Sequence, residues 1–203
     1  MVGNSVKLPD LKKFAFPLPP EKGNVRVIGV IPGQIVTEHR IVPVAEIASG
    51  DIARLAVIER HGKNGNIAYG YVSGTGIARG ALATTIAHDS HNLLILGKDD
   101  ESMRFAAATL REMGGGAVAV LDGEILAAMP LAVGGLMSTQ PAEVVAAQDR
   151  ALKLAAEKQL GITLPEVLTA LPFLSLPVIP SLKLTDRGLF DGEKFEFVPL
   201  YFD

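Results

Sequence analysis

The 203-residue sequence contains no cysteine and no tryptophan, and only 5% of its residues are aromatic. Without cysteine, the protein cannot form a disulfide, a thiolate metal site or a thiol nucleophile. Proteins of reducing compartments share this feature, and we expect a cytoplasmic location. The sequence also lacks any apolar run of the roughly 18 residues that a transmembrane helix requires. We therefore expect no membrane as a partner.

Positive charge is scarce as well. The chain has 19 lysines and arginines against 22 aspartates and glutamates, which gives a net charge of -3. Nucleic acids and anionic membrane surfaces are bound by clustered lysine and arginine side chains, so we expect neither as a partner. Hydrophobic residues make up 48% of the sequence, which is enough to form a packed core in one large domain or two small ones.

Residues 1–21 are rich in proline, with four prolines at Pro9, Pro17, Pro19 and Pro20. Proline removes a backbone donor and excludes regular helix, so this segment is predicted to be an extended arm, and it resembles neither a signal peptide nor a membrane anchor. An extended arm cannot bury its own apolar side chains in a helix or central strand. We expect it to lie on another surface through Leu11, Phe14, Phe16 and Leu18.

Alternating and short apolar runs bounded by glycine and proline predict several strands. Two helices are predicted by helical spacing, by the cap residues near Asp99 and Gly114, and by Pro141 and Gly161 at the ends of the second. The predicted strands are 25–31, 35–44, 54–60, 67–72, 117–121 and 124–129, and the helices are 99–113 and 142–160. In the third strand, Leu55 and Val57 are predicted on one face, with Ala56 and Ile58 on the other. The Asp122-Gly123 dipeptide predicts a hairpin between the last two strands.

This order of elements predicts an α+β fold with a mixed, largely antiparallel sheet or sheets and two main helices packed outside. Between Leu164 and Leu184, four prolines interrupt a very apolar stretch. We expect that stretch to fill the core without regular structure and to leave part of its surface exposed for a partner.

The run Ala87-His88-Asp89-Ser90-His91-Asn92 places polar side chains between two apolar stretches, where one strand is predicted to end and the next to begin. Two imidazoles and a carboxylate are usual ligands of a catalytic metal, but residues three apart on a strand face opposite sides. Whether these residues bind a metal, and which metal, is therefore left open. The alternative interpretation is a polar turn without a metal. Ser90 lacks the GxSxG elbow of an exposed nucleophilic serine.

A second group of candidates is Glu59-Arg60-His61, which offers a carboxylate, a fixed cation and an imidazole at a predicted strand end. These groups suit proton transfer or anion recognition. An equally good interpretation is a strand end with a solvated charge pair and no chemical role. Two glycine clusters do not predict phosphate loops. Gly114 to Gly116 follow a helix and are not before one, and Gly134-Gly135 form a loop ahead of the second helix.

The sequence HDSHN at residues 88–92, with RGALATTIA before it, is similar to the signature of the C-terminal domain of adenine deaminase, a metal-dependent purine hydrolase of the amidohydrolase superfamily. Further similar blocks in the same order are VRVIGVIPGQIVTEH at 25–39, VIERHGKNGNIAYGYV at 57–72, residues 134–144 and LPVIPSLKLTDRGLFD at 176–191. On this resemblance the chain divides into an arm (1–21), an adenine deaminase C-terminal-like domain (22–191) and a tail (192–203).

The resemblance implies hydrolytic deamination of adenine to hypoxanthine and ammonia. Enzymes of that family carry their metals in a (β/α)8 barrel ahead of this domain, with a His-x-His pair among the ligands. This chain has four histidines, none separated by one residue, and is too short to add a barrel of about 250 residues. We expect no TIM barrel and no cofactor in this chain, and manganese or iron in a partner barrel.

The partners implied are a barrel domain or subunit, further copies in a homo-oligomer, and adenine or a related purine. The catalytic candidates at the mouth of a shared active site are His88, Asp89, Ser90, His91 and Glu59. The alternative is a self-sufficient purine-binding module or a small metallohydrolase that uses the HDSH motif. The isolated chain is expected to be inactive, because the barrel's metal constellation is missing.

Overall fold

The computed structural model describes residues 5–48 and 50–203 of the chain. Over these residues it contains twelve β-strands and three α-helices. The strands are β1 (Asn24–Val30), β2 (Thr37–Pro43), β3 (Ile52–Ile58), β4 (Ile67–Ser73), β5 (Ala81–Thr84), β6 (Leu93–Gly97), β7 (Gly116–Leu121), β8 (Glu124–Pro130), β9 (Leu182–Thr185), β10 (Gly188–Asp191), β11 (Glu196–Val198) and β12 (Tyr201–Phe202); the helices are α1 (Asp100–Met113), α2 (Ala142–Lys158) and α3 (Val167–Ala170).

Nine strands form one open sheet, in which the order β1-β4-β3-β6-β5-β7-β8 is extended by β2 and β12, both paired with β1. All of its strand pairs are antiparallel except β1 with β4. Strands β9, β10 and β11 form a separate three-stranded antiparallel sheet. The predicted α+β class and the mixed, largely antiparallel sheet are confirmed, and the sheet does not close into a barrel.

Both faces of the large sheet are covered. Alternate residues of β3 point to opposite layers, with Ala56 and Ile58 facing α1 and Leu55 and Val57 facing the layer that contains α2. Strand β6 is buried at every position because it lies in the middle of this sandwich. The two main helices therefore pack outside the sheet, as predicted, one on each face.

The local signals at the predicted helix and hairpin are confirmed. Asp99 caps α1 by accepting a hydrogen bond from the Ser102 N–H at 2.7 Å, and Gly114 ends the helix with a left-handed φ of 77°. Strands β7 and β8 form a hairpin through Asp122 and Gly123, with φ of 51° and 77°. Positive φ at both turn residues is what the Asp-Gly dipeptide predicts.

The arm packs on its own domain. Phe14 is 1% exposed and meets the Tyr69 ring edge to face at 5.4 Å, and Leu11 and Phe16 are buried beside it. We expected the arm to lie on a surface through these side chains, and the surface is a groove of the sheet that follows the arm. An extended chain can lay alternate side chains into such a groove. Leu18 does not take part, since 91% of it is exposed.

The stretch from Leu164 to Leu184 fills the core, as predicted, but it contains α3 and a 3-10 helix at Leu171–Ser175. Leu164, Leu171 and Leu174 are all buried against the large sheet. Helical turns between the prolines direct these leucines inward, so the exposed part that we expected is small. Val178 is an exception, with 70% of it exposed.

Residues 192–203 contribute one strand to each sheet. Strand β11 pairs with β10, and β12 pairs with β1 at the opposite end of the chain. Across residues 5–48 and 50–203, none of the helices is long and apolar enough to cross a membrane.

Candidate functional site

The HDSHN turn, residues 88–92, connects β5 to β6, as the sequence predicts. The His91 N–H donates to the Ala87 carbonyl oxygen at 2.6 Å, and His91 has a left-handed φ of 48°. This reversal brings the two imidazoles to one side of the chain, with ring centroids 6.4 Å apart and planes at 61°. The rings are neighbours without being hydrogen-bonded to each other.

The two histidines of the turn have different surroundings. The His88 ring lies against the Phe173 ring, at a centroid distance of 4.6 Å. The Nδ1 atom of His91 is buried, and it has no hydrogen-bond partner among the described residues. Burial first, and then the nearby charge of Arg60, lower the pKa of His91. The neutral imidazole is therefore the favoured form of His91.

Metal ligation within the turn is not supported by its geometry. In the part of the chain that the structure describes, no three histidine, aspartate or glutamate side chains are grouped so that they could hold a metal ion. Asp89 and Ser90 are exposed at the tip of the turn, while His91 is directed inward. The manganese or iron that the family resemblance implies therefore has no ligand set among these residues.

Arg60 is the centre of the contacts beneath the turn, with only 1% of it exposed. Its Nε donates to the His91 carbonyl oxygen, and its two terminal nitrogens donate to the carbonyl oxygens of Ser5 at 3.1 Å and Gly134 at 2.9 Å. Burial lowers the pKa of the Arg60 guanidinium. One buried cation thus joins the arm, the HDSHN turn and the loop before α2.

The presence of two successive glycines before α2 is explained by local packing and backbone conformation. A Cβ atom at Gly135 would lie 3.0 Å from a terminal nitrogen of Arg60, closer than side chains normally approach. Gly134 and Gly135 also have left-handed φ values of 67° and 74°. Gly135 therefore lets the loop approach the guanidinium, a contact that the sequence alone did not indicate. A Cβ atom at Gly134 would meet open space, so only its left-handed φ favours glycine there.

Glu59 organises the turn that follows β3. Its Oε1 accepts from the His61 N–H at 2.6 Å, and its Oε2 accepts from the N–H groups of Lys63, Asn64 and Gly65 at 3.0 to 3.1 Å. Burial alone would raise the pKa of Glu59, but these four donors outweigh it and lower the pKa. The carboxylate is fixed as an anion by four backbone donors, which suits positioning better than proton transfer.

The turn held by Glu59 brings a third histidine to the HDSHN turn. The His61 Nε2 lies 2.9 Å from the Ser90 carbonyl oxygen. Four of the sequence candidates, His88, Asp89, Ser90 and His91, are therefore grouped by the turn itself, and Glu59 supports them through His61. Arg60, which the sequence offered only as a cation beside Glu59, makes more contacts with the turn and its surroundings than that prediction implied.

The HDSHN turn also forms one wall of a cavity of about 490 Å³. Arg187 lines this cavity as well, with its guanidinium 5.2 Å from the centre of the Phe197 ring. The small sheet and the turn before β11 also contribute the rings of Phe190, Phe195 and Phe197. Sequence reasoning missed these three residues. The available signal was the concentration of aromatic residues near the end of a chain that has only eight phenylalanines.

Comparison with known proteins covers most of the residues around this cavity. Residues 34–196 match the family model described as the adenine deaminase C-terminal domain, and this match contains the HDSHN turn, Glu59 and two of the three phenylalanines. The chain belongs to the adenine deaminase C-terminal domain family. The resemblance drawn from HDSHN and the blocks around it is confirmed.

Curated relatives of this family member are named adenine deaminase. Those from Brucella abortus (strain 2308) and Cereibacter sphaeroides (strain ATCC 17025) are 48% and 46% identical to it. Each alignment covers 96% of this chain, but only 35% and 36% of the respective relative. The chain therefore spans about a third of the length of the curated relatives it matches.

Proposed function

We propose that this chain is the C-terminal part of an adenine deaminase, and that it supports a metal-dependent barrel carried by another domain or subunit. The observation that carries the proposal is the similarity of 48% identity along nearly the whole chain to one third of a protein named adenine deaminase. The reaction would be the hydrolytic conversion of adenine to hypoxanthine and ammonia. Its location in the cytoplasm and its assembly into a homo-oligomer stay predictions.

The metal chemistry would lie outside this chain. Hydrolytic deamination needs an activated water, and a bound metal ion supplies one by lowering the pKa of that water. The described residues provide no ligand set for manganese or iron. Protein ligands for either ion would therefore come from the barrel.

The face with the HDSHN turn is the part of this chain that we place at the barrel's active-site mouth. Asp89 and Ser90 are exposed there, and His88 is half-buried behind them. These three side chains are free to meet substrate or barrel, whereas the Glu59 carboxylate and the backbone carbonyl oxygen of His91 are tied into the supporting contacts beneath the turn. In this arrangement the last two are positioning residues.

A chimeric enzyme tests the proposal. The segment of Brucella abortus adenine deaminase that aligns with this chain is replaced by this chain, and adenine turnover is measured with manganese or iron present. We expect the chimera to deaminate adenine, and the same enzyme without the segment to lose activity or stability. An inactive chimera that folds and binds its metal would contradict the proposal.

The isolated chain provides the complementary measurement. We expect no turnover of adenine by the purified chain with any added divalent metal. Metal-dependent turnover that His88→Ala abolishes would instead support a small metallohydrolase that uses the HDSH motif.

A further inference from the structure

Strand β8 (Glu124–Pro130) forms a free edge of the large sheet. Among the residues that the structure describes it pairs only with β7, so its outer side presents backbone N–H and C=O groups without a strand partner. Its sequence, EILAAMP, carries neither the lysine nor the internal proline that commonly protects such an edge, and 50% of Ile125 is exposed. A register shift leaves Leu126 without a paired residue on β7, which bends the strand but does not cover its outer side.

Helix α2 packs on β8 and presents a second uncovered surface. Four of its exposed residues, Val144, Ala147, Ala151 and Leu154, are spaced by three, four and three residues. This spacing places them in one stripe along the helix, and the stripe contains no charged side chain. Val144 is 40% exposed and Leu154 is 58% exposed. An apolar stripe with this repeat is typical of a helix that packs against another helix.

The stripe faces outwards, beyond the edge strand. Leu152 is fully buried beneath α2, and successive helical residues are separated by about 100°, so Lys153 and the stripe lie on opposite flanks of the helix. The Lys153 flank faces the rest of the chain, because its Nζ lies 2.8 Å from Glu166 Oε2. The segment around Glu166 covers the middle of the sheet, where the Thr163 N–H donates to the Thr75 carbonyl oxygen after β4. The opposite flank, with the stripe, is therefore on the side where β8 has no neighbour.

Helix and strand also match in direction and length. A Cβ atom at Gly80 would lie 2.8 Å from Leu160 and 3.3 Å from Leu121, so the end of α2 lies beside the start of the β7 to β8 turn. Since α2 packs along β8, the two run antiparallel. The 17 residues of α2 span about 25 Å, and the 7 residues of β8 span about 23 Å. Their midpoints therefore lie close together, and one symmetry axis can serve both.

The stripe is complementary to itself. In an antiparallel pair of α2 helices, Val144 of one copy lies opposite Leu154 of the other, and Ala147 lies opposite Ala151. The alanines near the centre let the helices approach closely, while the larger side chains fill the space at both ends. Arg150 comes near its counterpart on the solvent side of the stripe, where its long side chain can extend the guanidinium into water. A surface that matches its own copy in this way is typical of a two-fold interface.

We propose that this edge is the interface between two copies of this chain related by a two-fold axis, with the α2 helices packed antiparallel and the two β8 strands side by side. The inference names a surface for the homo-oligomer that the family resemblance implies, but the residues that carry it do not depend on the proposed function. Gly116 pairs with Pro130, and its carbonyl oxygen accepts from the Thr85 N–H, so the HDSHN turn lies at the Pro130 end of β8. An antiparallel arrangement places the two turns at opposite ends of the joined sheets.

Sedimentation equilibrium of the full chain tests the interface, and we expect a dimer at micromolar concentration. Leu154→Glu and Ile125→Lys should each raise the dissociation constant of the dimer at least tenfold, because each would bury an unpaired charge in the contact. Leu18→Glu changes an apolar side chain that is 91% exposed on the arm, and it should leave the dissociation constant unchanged. All three residues are exposed in the single chain, so the circular dichroism spectra of the variants should match that of the parent.

The absence of cysteine allows a direct test of the helix register. Chains with Ala147→Cys and chains with Ala151→Cys are mixed and oxidised. They should form a mixed disulfide faster than either variant forms a disulfide with itself, because the proposed pair places these two positions opposite each other. Chains with Leu18→Cys provide the control and should crosslink only at the rate of random encounters.

A monomer throughout the micromolar range would overturn the inference, as would a dimer that Leu154→Glu and Ile125→Lys leave intact. A dimer that Leu18→Glu dissociates would place the contact on the arm instead. A monomeric chain whose chimeric enzyme is inactivated by Leu154→Glu would show that the barrel covers this edge, which also refutes the interface. An active chimera together with a monomeric chain would refute the interface alone and leave the proposed function standing.

Discussion

The Nε of Arg60 donates a hydrogen bond to the carbonyl oxygen of His91, which fixes the inner end of the HDSHN turn. The same guanidinium is almost entirely buried, and its hydrogen bonds go to carbonyl and hydroxyl oxygens of the arm, the turn and the loop before α2. A buried cation is tolerated when its donors are satisfied in this way. The shape of the candidate site thus depends on Arg60, a residue that does not itself line the cavity.

Replacing Arg60 with methionine should destabilise the fold by roughly 2–4 kcal/mol, because the carbonyl oxygens of Ser5, His91 and Gly134 would lose their donor. The same change should raise the pKa of His91, since the charge of Arg60 adds to burial in lowering it. Urea unfolding and an NMR titration of the histidines measure the two effects. Arg79→Met, at an exposed arginine bonded to a carbonyl oxygen, is the control.

Glu59→Gln should cost roughly 1–3 kcal/mol at neutral pH, because four backbone N–H groups would lose a charged acceptor. The folded-state pKa of Glu59 is lowered, so its contribution is complete above the ordinary glutamate pKa of roughly 4.3 and is lost as the pH falls through the folded value. Stability of the variant should therefore depend less on pH in this acidic range. Unfolding curves at several pH values test this, with the exposed Glu143→Gln as control; parallel pH profiles for parent and Glu59→Gln would contradict it.

Lys183 is a buried lysine whose Nζ donates to the Ile35 carbonyl oxygen at 2.9 Å, and burial lowers its pKa to about 8. The folded protein then binds fewer protons than the unfolded chain between about pH 8 and the ordinary lysine value of about 10.4, so stability should rise with pH in that window. Lys183→Met should remove this rise and stabilise the protein at pH 7 by about 1–3 kcal/mol. Lys12→Met, at an exposed lysine, should do neither in the same denaturation series.

The arm contains a natural pair of apolar residues for comparison. Phe14 is 1% exposed, whereas Leu18 is 91% exposed. Phe14→Ala should therefore cost about 3–5 kcal/mol, and Leu18→Ala less than about 0.5 kcal/mol. Thermal and chemical unfolding of the two variants decide the matter. Equal effects would mean that the arm does not pack on its own domain in solution.

The sequence predicted those elements whose signals are local. Asp99 and Gly114 cap α1, the Asp122-Gly123 dipeptide turns β7 into β8, and the alternation through Leu55 and Ala56 places the two faces of β3. Each depends on residues that are close in sequence. The HDSHN turn belongs to the same group, because a polar run between two apolar runs marks a sheet end wherever it occurs.

Features that depend on distant residues were missed. The arm's phenylalanines have a groove only because strand β4, about fifty residues later, places Tyr69 and Tyr71 there. Likewise, the hydrogen bonds of Arg60 can be recognised only once the fold has brought Ser5 and Gly134 to its guanidinium. Periodicity cannot indicate contacts of this kind, and the aromatic wall of the cavity went unnoticed for the same reason.

The pairing of β12 with β1 has a consequence for how the protein is made. Strand β2 pairs along the whole of one side of β1, so β4 and β12 must follow one another along its other side. That side of β1 is complete only when Asn24 and Val25 have paired with Phe202 and Tyr201, which lie far along the chain. Contacts of such long range slow folding. During synthesis, this stretch of β1 should consequently stay open to chaperones until Tyr201 and Phe202 have left the ribosome.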